Sequence, residues 1–357
     1  TIKAEGPGVS PPTWEVKKAV VTTLRPAIPD SEKHNFRITD DNLGVGGPKE
    51  KFRNNMAAIN LLHELEFENR LATPEEQEIL SKYVGFGGLA DAFDESKANW
   101  ADEYKELIVT LSPEEYAAAR ESTLTAFYTP PVVIRAMYEA LGNMGFSEGN
   151  ILEPSCGTGN FIGMLPDGMQ KSKFFGVELD SLTGRIAQQL YQKSGITVQG
   201  YENASLPDSF FDVAIGNVPF GQFKVIDKMY DKNNWLIHDY FFGKTLDKVR
   251  PGGVIAFITS SGTMDKRNSN VRKYIAQRAE LLGAIRLPNN TFKANAGTEV
   301  TSDILFLQKR DTLVNDEPDW VHLDRDENGN EYNKYFVDHP EMVLGEMVME
   351  SSQFGHS

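Results

Sequence analysis

Between residues 150 and 258 the chain alternates short apolar runs with segments of helical periodicity, and this alternation limits the folds open to it. The apolar runs lie at residues 150–152, 174–177, 211–215 and 254–258. Segments 182–191 and 235–249 instead have apolar residues at three- and four-residue steps, the spacing of an amphipathic helix. Buried strands that alternate with helices are typical of crossover units and a mainly parallel sheet. Two further runs, 281–287 and 302–307, predict an antiparallel pair at one edge.

The residues on either side of this region predict three further segments. Residues 1–47 are rich in proline and polar residues, and we expect an extended arm. Residues 48–122 predict a helical module, because Thr73 and Ser112 each begin a helix-capping pattern with proline and glutamate. Residues 311–357 hold 12 acidic and two basic residues, out of a net charge of −15 for the chain. They predict an acidic tail or linker, with a partner-binding segment as the alternative.

Composition excludes several classes of protein. The single cysteine allows no internal disulfide, and the six histidines show no zinc-binding spacing, so we expect no metal. No apolar run reaches the ~18 residues of a membrane span, and no secretory signal is recognisable. We therefore expect a cytoplasmic protein without a membrane partner. A start at Thr1 predicts a processed product or a piece of a longer protein.

The first strand of the alternating region ends in a glycine-rich turn. Its sequence is Glu153-Pro154-Ser155-Cys156-Gly157-Thr158-Gly159-Asn160-Phe161. The two glycines let the backbone turn tightly and approach a ligand closely. The turn lacks the triple-glycine dinucleotide fingerprint and the lysine of a phosphate loop. An acid before the turn suits a cationic amino acid group, and Glu178 after the second strand suits a ribose diol.

The strand predicted at residues 211–215 runs directly into a second motif. Its sequence is Gly216-Asn217-Val218-Pro219-Phe220-Gly221. A polar amide, a proline-stiffened turn and an aromatic ring thus follow the carboxyl end of a strand, which is where open parallel sheets bind ligands.

Together these motifs resemble those of class I S-adenosyl-L-methionine (SAM)-dependent methyltransferases. More narrowly, they are similar to adenine-N6 DNA methyltransferases whose cofactor motif precedes an Asn-Pro-Pro-Phe-like motif. Phe127-Tyr128-Thr129-Pro130-Pro131 lies where that family has an extra cofactor motif. Residues 251–306 resemble type I modification subunits, and residues 83–88 resemble the methylase part of large phage and conjugative-element methylase–helicase proteins. The resemblance covers residues 123–310 and implies a Rossmann-like class I methyltransferase domain with a seven-stranded sheet beside the helical module.

The resemblance also implies a reaction, methyl transfer from SAM to the N6 amine of an adenine flipped out of DNA. The Asn217 side-chain oxygen and the Val218 carbonyl would each accept one amine hydrogen, and Phe220 would stack on the base, with Pro219 between them. The family usually has proline where this chain has Val218. Valine keeps the carbonyl but loses the fixed backbone angle.

The resemblance further implies a set of cofactor-binding residues. They are Tyr128, Thr129, Glu153, Pro154, Ser155, Cys156, Gly157, Gly159, Asn160, Phe161, Glu178, Glu202 and Asn217. Glu202 is the candidate for the cofactor's adenine amine. Thr129 is the candidate for its carboxylate, and it also reads as a helix cap. We expect Cys156 to act in packing or in the cofactor loop rather than as a nucleophile, and His238 to be a satisfied structural histidine.

Other functions remain open at this point. A protein glutamine amide or an RNA base can be held by a similar motif, and a noncatalytic DNA- or partner-binding module would keep the same fold. We expect DNA as the partner, with a target-recognition or helicase domain in a longer chain or a separate subunit. Two groups of cations predict either phosphate contacts or a solvated face. The first group follows the Asn217 motif and is Lys224, Lys228 and Lys232, and the second follows the strand predicted at residues 254–258 and is Lys266, Arg267, Arg272 and Lys273.

Overall fold

The computed structural model describes residues 29–42, 44–123, 129–292, 301–347, 351–352 and 355–356. The chain divides into two units at Lys33 and His34. The first unit is described only from residue 29, where Asp30–Glu32 form a 3-10 turn. The second unit contains the sheet and the helices.

Seven strands form the central sheet of the second unit. They are β1 (Asn150–Glu153), β2 (Lys173–Glu178), β3 (Gly195–Val198), β4 (Phe211–Asn217), β5 (Val249–Ser260), β6 (Ala279–Leu287) and β7 (Ser302–Lys309). Their order is β3-β2-β1-β4-β5-β7-β6. Neighbours from β3 to β5 are parallel, whereas β7 is antiparallel to both β5 and β6. The predicted mixed, mainly parallel sheet with an antiparallel pair at one edge is confirmed, and the fold is that of a Rossmann-like class I methyltransferase.

Helices precede the sheet and connect its strands. They are α1 (Pro48–Glu68), α2 (Pro74–Leu80), α3 (Ala101–Thr110), α4 (Pro113–Ser122), α5 (Pro131–Asn143), α6 (Asn160–Gly163), α7 (Ser181–Leu190), α8 (Ile237–Lys248), α9 (Gly262–Asp265), α10 (Asn270–Arg278) and α11 (Lys334–Asp338). Thr73 and Ser112 cap α2 and α4 in complete capping boxes, as their sequences predict. No helix in the described part of the chain combines the length and apolar character that a membrane span requires.

The helices α1 to α4 pack against the sheet domain through α7. Arg185 of α7 donates hydrogen bonds to Glu66 of α1 at 2.7 Å and to Glu115 of α4 at 2.7 Å. Ile38, which lies in the second unit, contacts α6, since its N–H donates to the Gly163 carbonyl at 3.0 Å. The helical module and residues 34–42 therefore belong to the same unit as the sheet, while the predicted domain boundaries stay a prediction.

The acidic C-terminal segment is folded over part of its length. Short strands β8 (Leu323–Arg325) and β9 (Glu331–Asn333) pair antiparallel before α11, and a further two-residue pair follows at Ser351–Ser352 and Gly355–His356. Trp320, Val321 and Phe336 are buried in the core. These residues are not a free tail, because apolar side chains within the acidic sequence are buried against the sheet domain.

Candidate active site

The glycine-rich turn and the Asn217 motif lie side by side because β1 and β4 are neighbouring parallel strands. Leu152 pairs with Ala214, so both strands end at the same edge of the sheet. There the Ser155 hydroxyl donates to the Asn217 carbonyl at 2.9 Å. The structure thus brings together the two motifs on which the sequence prediction depends.

The glycine-rich turn has a backbone that glycine accommodates best. Gly157 and Gly159 have φ angles of +55° and +83°, a region that side chains disfavour. A Cβ at Gly159 would also overlap the ring of Tyr191. The Gly157 N–H donates to the Glu178 carboxylate at 2.7 Å, which ties the turn to the end of β2.

Two carboxyl groups line this turn without a basic partner in the described residues. Glu153 is buried, and its Oε2 atom has no hydrogen-bond partner there. Burial, with a smaller contribution from Glu178, raises the pKa of Glu153 well above its usual range. Burial likewise raises the pKa of Glu178 to about 7, although the backbone N–H groups of Asp180 and Gly157 lower it in part. A ligand with positive charge would relieve the cost of these buried acids.

The Asn217 side chain has one satisfied end and one open end. Its Nδ2 donates to the Thr129 hydroxyl at 3.2 Å. Its Oδ1 is buried and has no hydrogen-bond partner among the described residues. Val218 is also held in place. Its N–H donates to the Ile258 carbonyl at 3.1 Å, and its side chain is buried. An unpaired buried amide oxygen is costly, so the arrangement favours a donor supplied by a ligand.

The contact between Thr129 and Asn217 was not foreseen from the sequence. The two residues are 88 positions apart, and no local pattern pairs them. The expected helix-capping role of Thr129 is wrong, because the N-cap of α5 is Pro130 and no side chain caps it. Thr129 instead lies directly before this N-cap, where its hydroxyl accepts a hydrogen bond from the Asn217 amide at the end of β4.

Other predicted cofactor residues occupy varied positions. Cys156 is buried with its N–H donating to the Val177 carbonyl at 2.9 Å, and burial raises the pKa of its thiol, as suits a packing role. The Phe161 ring is buried against Tyr138, with ring centroids 6.3 Å apart. Glu202 is half-buried and accepts a hydrogen bond from Asn203 at 2.9 Å.

The remaining predicted site residues lie within or beside these turns. Pro154 is buried, whereas Pro219 and Phe220 are half-buried. Asn160 begins α6 and accepts a hydrogen bond from the Thr158 hydroxyl at 3.3 Å. Tyr128 lies outside the described residues.

Two other sequence expectations require correction. His238 is buried, but its Nδ1 has no partner in the described residues, so it is not fully satisfied. Arg272 is 1% exposed and donates to the Val321 carbonyl at 2.8 Å. It is therefore not available for phosphate, because a structural bond inside the core holds its guanidinium.

Comparisons of the sequence with known proteins identify its relatives. The sequence model of the N-6 DNA Methylase family matches residues 108–335. Over 282 residues, the chain is 30% identical to "Defense against restriction protein B" of Escherichia phage P1. The aligned region covers 77% of this chain and 11% of that protein. The chain is 26% identical over 211 residues to "Type I restriction enzyme EcoEI methylase subunit" of Escherichia coli, covering 51% of this chain and 42% of that one.

The fold is also similar to that of a solved structure, a modification subunit of a putative type I restriction enzyme from Vibrio vulnificus YJ016. The TM-score is 0.45 at 15% identity, over 87% of this chain and 90% of that chain. The chain thus spans about a tenth of the phage protein and less than half of the E. coli subunit.

Proposed function

Because the chain belongs to the N-6 DNA Methylase family, a family of methyltransferases, we propose that it methylates the N6 amine of an adenine flipped out of DNA. The resemblance predicted from the motifs is confirmed at the level of the family, which implies SAM-dependent methyl transfer. The DNA substrate, the flipped base and the role of each residue are our proposal.

The unpaired Oδ1 of Asn217 is the observation that carries this proposal. The N6 amine of adenine is a weak nucleophile because its lone pair is delocalised into the ring. Asn217 Oδ1 and the Val218 carbonyl would each accept one amine hydrogen, which keeps electron density on the nitrogen as the new bond to carbon forms. The nitrogen would then pass one proton to solvent. Glutamine and RNA bases also present planar NH2 groups, so they remain the rivals.

The residues of the glycine-rich turn fit SAM. Bound SAM supplies a methyl group activated by a positive sulfonium. Glu153 would face its positive charge, and Glu178 would accept hydrogen bonds from its ribose. The unpaired Glu153 Oε2 and the close backbone at Gly157 and Gly159 support this assignment.

We propose that residues 123–310 form the catalytic domain, with Phe220 stacking on the extruded base. Target recognition would lie in another part of a longer chain or in a separate subunit, since the chain spans only 11% of its phage relative and the E. coli relative is named as a subunit. Action on chromosomal or phage DNA would place the protein in the cytoplasm.

Transfer of a labelled methyl group tests the proposal. The protein is incubated with methyl-labelled SAM and, in one tube, unmethylated DNA, total RNA and a protein extract. We expect label in the DNA, released on hydrolysis as N6-methyladenine. Label in RNA or protein alone would favour the rival enzymes, and absence of SAM binding by calorimetry would favour the noncatalytic module.

We expect Thr129→Val to lower kcat about tenfold, the effect of losing one net hydrogen bond. Without the Thr129 hydroxyl, the Asn217 amide can rotate and turn its oxygen away from the substrate. The KM for SAM should stay unchanged, and Thr129→Ser should restore kcat. A rise in the KM for SAM at constant kcat would instead assign Thr129 to the cofactor carboxylate.

We expect the affinity for SAM to rise about tenfold between pH 6 and pH 8. The carboxyl group of Glu178, with a pKa of about 7, must lose its proton to accept hydrogen bonds from the ribose hydroxyls. Burial is the main cause of that raised pKa, and the charge of Asp180 raises it further. The raised pKa also favours folding at low pH, and this contribution is lost as pH rises through about 7. Calorimetry on the wild type and on Glu178→Gln checks this. An equally steep profile in the variant would exclude Glu178 as the titrating group.

A further inference from the structure

The loop of residues 221–236, which follows the Asn217 motif and leads into α8, exposes an unusual number of apolar side chains. Phe223, Ile226 and Met229 are 49%, 84% and 69% exposed. Apolar side chains at this density on a polar loop are typical of an interaction surface. Phe223 is three residues beyond Phe220, at most ~11 Å of extended chain.

The base of the loop is held firmly, so the exposure does not come from loose packing. Asp227 accepts hydrogen bonds from the Tyr240 hydroxyl at 2.8 Å and from Lys244 at 3.0 Å. Tyr230 is buried, donates to Asp247 at 2.5 Å and stacks on Trp235. The loop therefore presents its apolar residues from an anchored base.

The loop also carries cations that its own acids do not neutralise. Lys224, Lys228 and Lys232 are exposed, and in the described part of the chain none of the three forms an ion pair. The hydrogen bond that Lys224 donates within the described residues is to Asn234, at 2.5 Å. The carboxylate of Asp227 is paired with Lys244, whereas Asp231 remains exposed.

The second group of predicted cations differs. Lys266, Arg267 and Lys273 lie within 3.8, 3.3 and 2.9 Å of acidic side chains. Within the described residues, the three lysines of loop 221–236 thus have no acidic partner, whereas each of these three cations has one.

We propose that loop 221–236 enters the DNA beside the extruded adenine, with Ile226 and Met229 filling the gap left in the base stack and Lys228 and Lys232 contacting the flanking phosphates. This inference rests on the proposed function. Extrusion of a base costs a few kcal/mol of stacking, and apolar side chains inserted between base steps offset such losses. The loop alternates apolar and cationic side chains, and DNA likewise presents stacked bases with phosphates on either side.

Equilibrium binding of the full chain to fluorescent DNA tests the inference, using an intact duplex, the same duplex with one abasic site, and the single strand. An abasic site supplies the gap without the cost of extrusion. We expect the wild type to prefer the abasic duplex about tenfold, the scale of one stacking contact. Ile226→Ser/Met229→Ser should abolish that preference and leave single-strand affinity unchanged.

A matched control is Val109→Ser, since Val109 is 85% exposed on α3 of the helical module and should leave all three affinities unchanged. Lys228→Gln/Lys232→Gln should weaken binding to both duplexes alike and reduce the slope of log affinity against log salt by ~2, about 0.9 for each lost phosphate contact.

Two failures can be told apart. In the first, the wild type methylates DNA but shows no preference for the abasic duplex, or the Ile226→Ser/Met229→Ser variant keeps that preference. Insertion of the loop into the base stack is then overturned, and the proposed function stands. If the wild type methylates only RNA or protein, the proposed function fails, and the loop proposal fails with it.

Discussion

Asn217→Ala is expected to lower the kcat of methyl transfer about 10²–10³-fold, the scale of removing one group that stabilises charge in a transition state. Alanine lacks the oxygen that would accept an amine hydrogen. Because the amide lies at the end of β4 and, among the described residues, its Nδ2 donates only to Thr129, the fold should persist. Affinity for SAM, measured by calorimetry, should change little.

Two further variants make this result specific. Asn217→Asp retains an oxygen at the same position and should keep part of the activity, whereas Asn328→Ala removes an exposed amide in the turn between β8 and β9 and should have no effect. A kcat of Asn217→Ala within threefold of the wild type would remove the amide oxygen from the mechanism.

Arg286→Met should have the largest effect on stability, about 3–5 kcal/mol, the usual cost of removing one partner from a buried ion pair. Arg286 of β6 donates twice to Asp303 of β7 at 2.8 Å and lies 2.9 Å from Asp265. Asp303 is fully buried, and burial raises its pKa to about 6 despite the guanidinium. Without Arg286 this carboxyl group would lose its partner inside the core. Urea denaturation would measure the loss.

Arg250→Met is the matched control for this experiment. Arg250 forms an ion pair with Asp212 at 2.6 Å, but its side chain is 48% exposed, so we expect a loss below about 1 kcal/mol. The double variant Arg286→Met/Asp303→Leu should recover part of the stability, since no unpaired charge remains in the core. Equal losses for the Arg286 and Arg250 variants would show that burial does not govern this network.

The apolar runs predicted the strands well because buried parallel strands need continuous apolar residues. The exceptions were β3 (Gly195–Val198), which none of the predicted runs covers, and the start of β5. The sequence predicted the latter strand at residues 254–258, yet β5 begins at Val249 and its register shifts opposite Phe211–Val213. Pairing with β4 here overrides the local turn preference of Pro251 and its glycines.

Charge and spacing were weaker guides. The many acidic residues of segment 311–357 predicted a tail or linker, yet Trp320 and Phe336 within it are buried in the core. In the site, the sequence placed the glycine-rich turn near Asn217, since motifs at the ends of adjacent parallel strands meet. It gave no sign of the Thr129 contact, which joins residues 88 positions apart in the sequence.

The most direct test of the account is a crystal structure with DNA and an unreactive SAM analogue. The account predicts an extruded adenine whose N6 lies within hydrogen-bonding distance of both Asn217 Oδ1 and the Val218 carbonyl. If Asn217 Oδ1 bonds to the cofactor instead, or if the nearest base amine is beyond the reach of both oxygens, the proposed mechanism is contradicted.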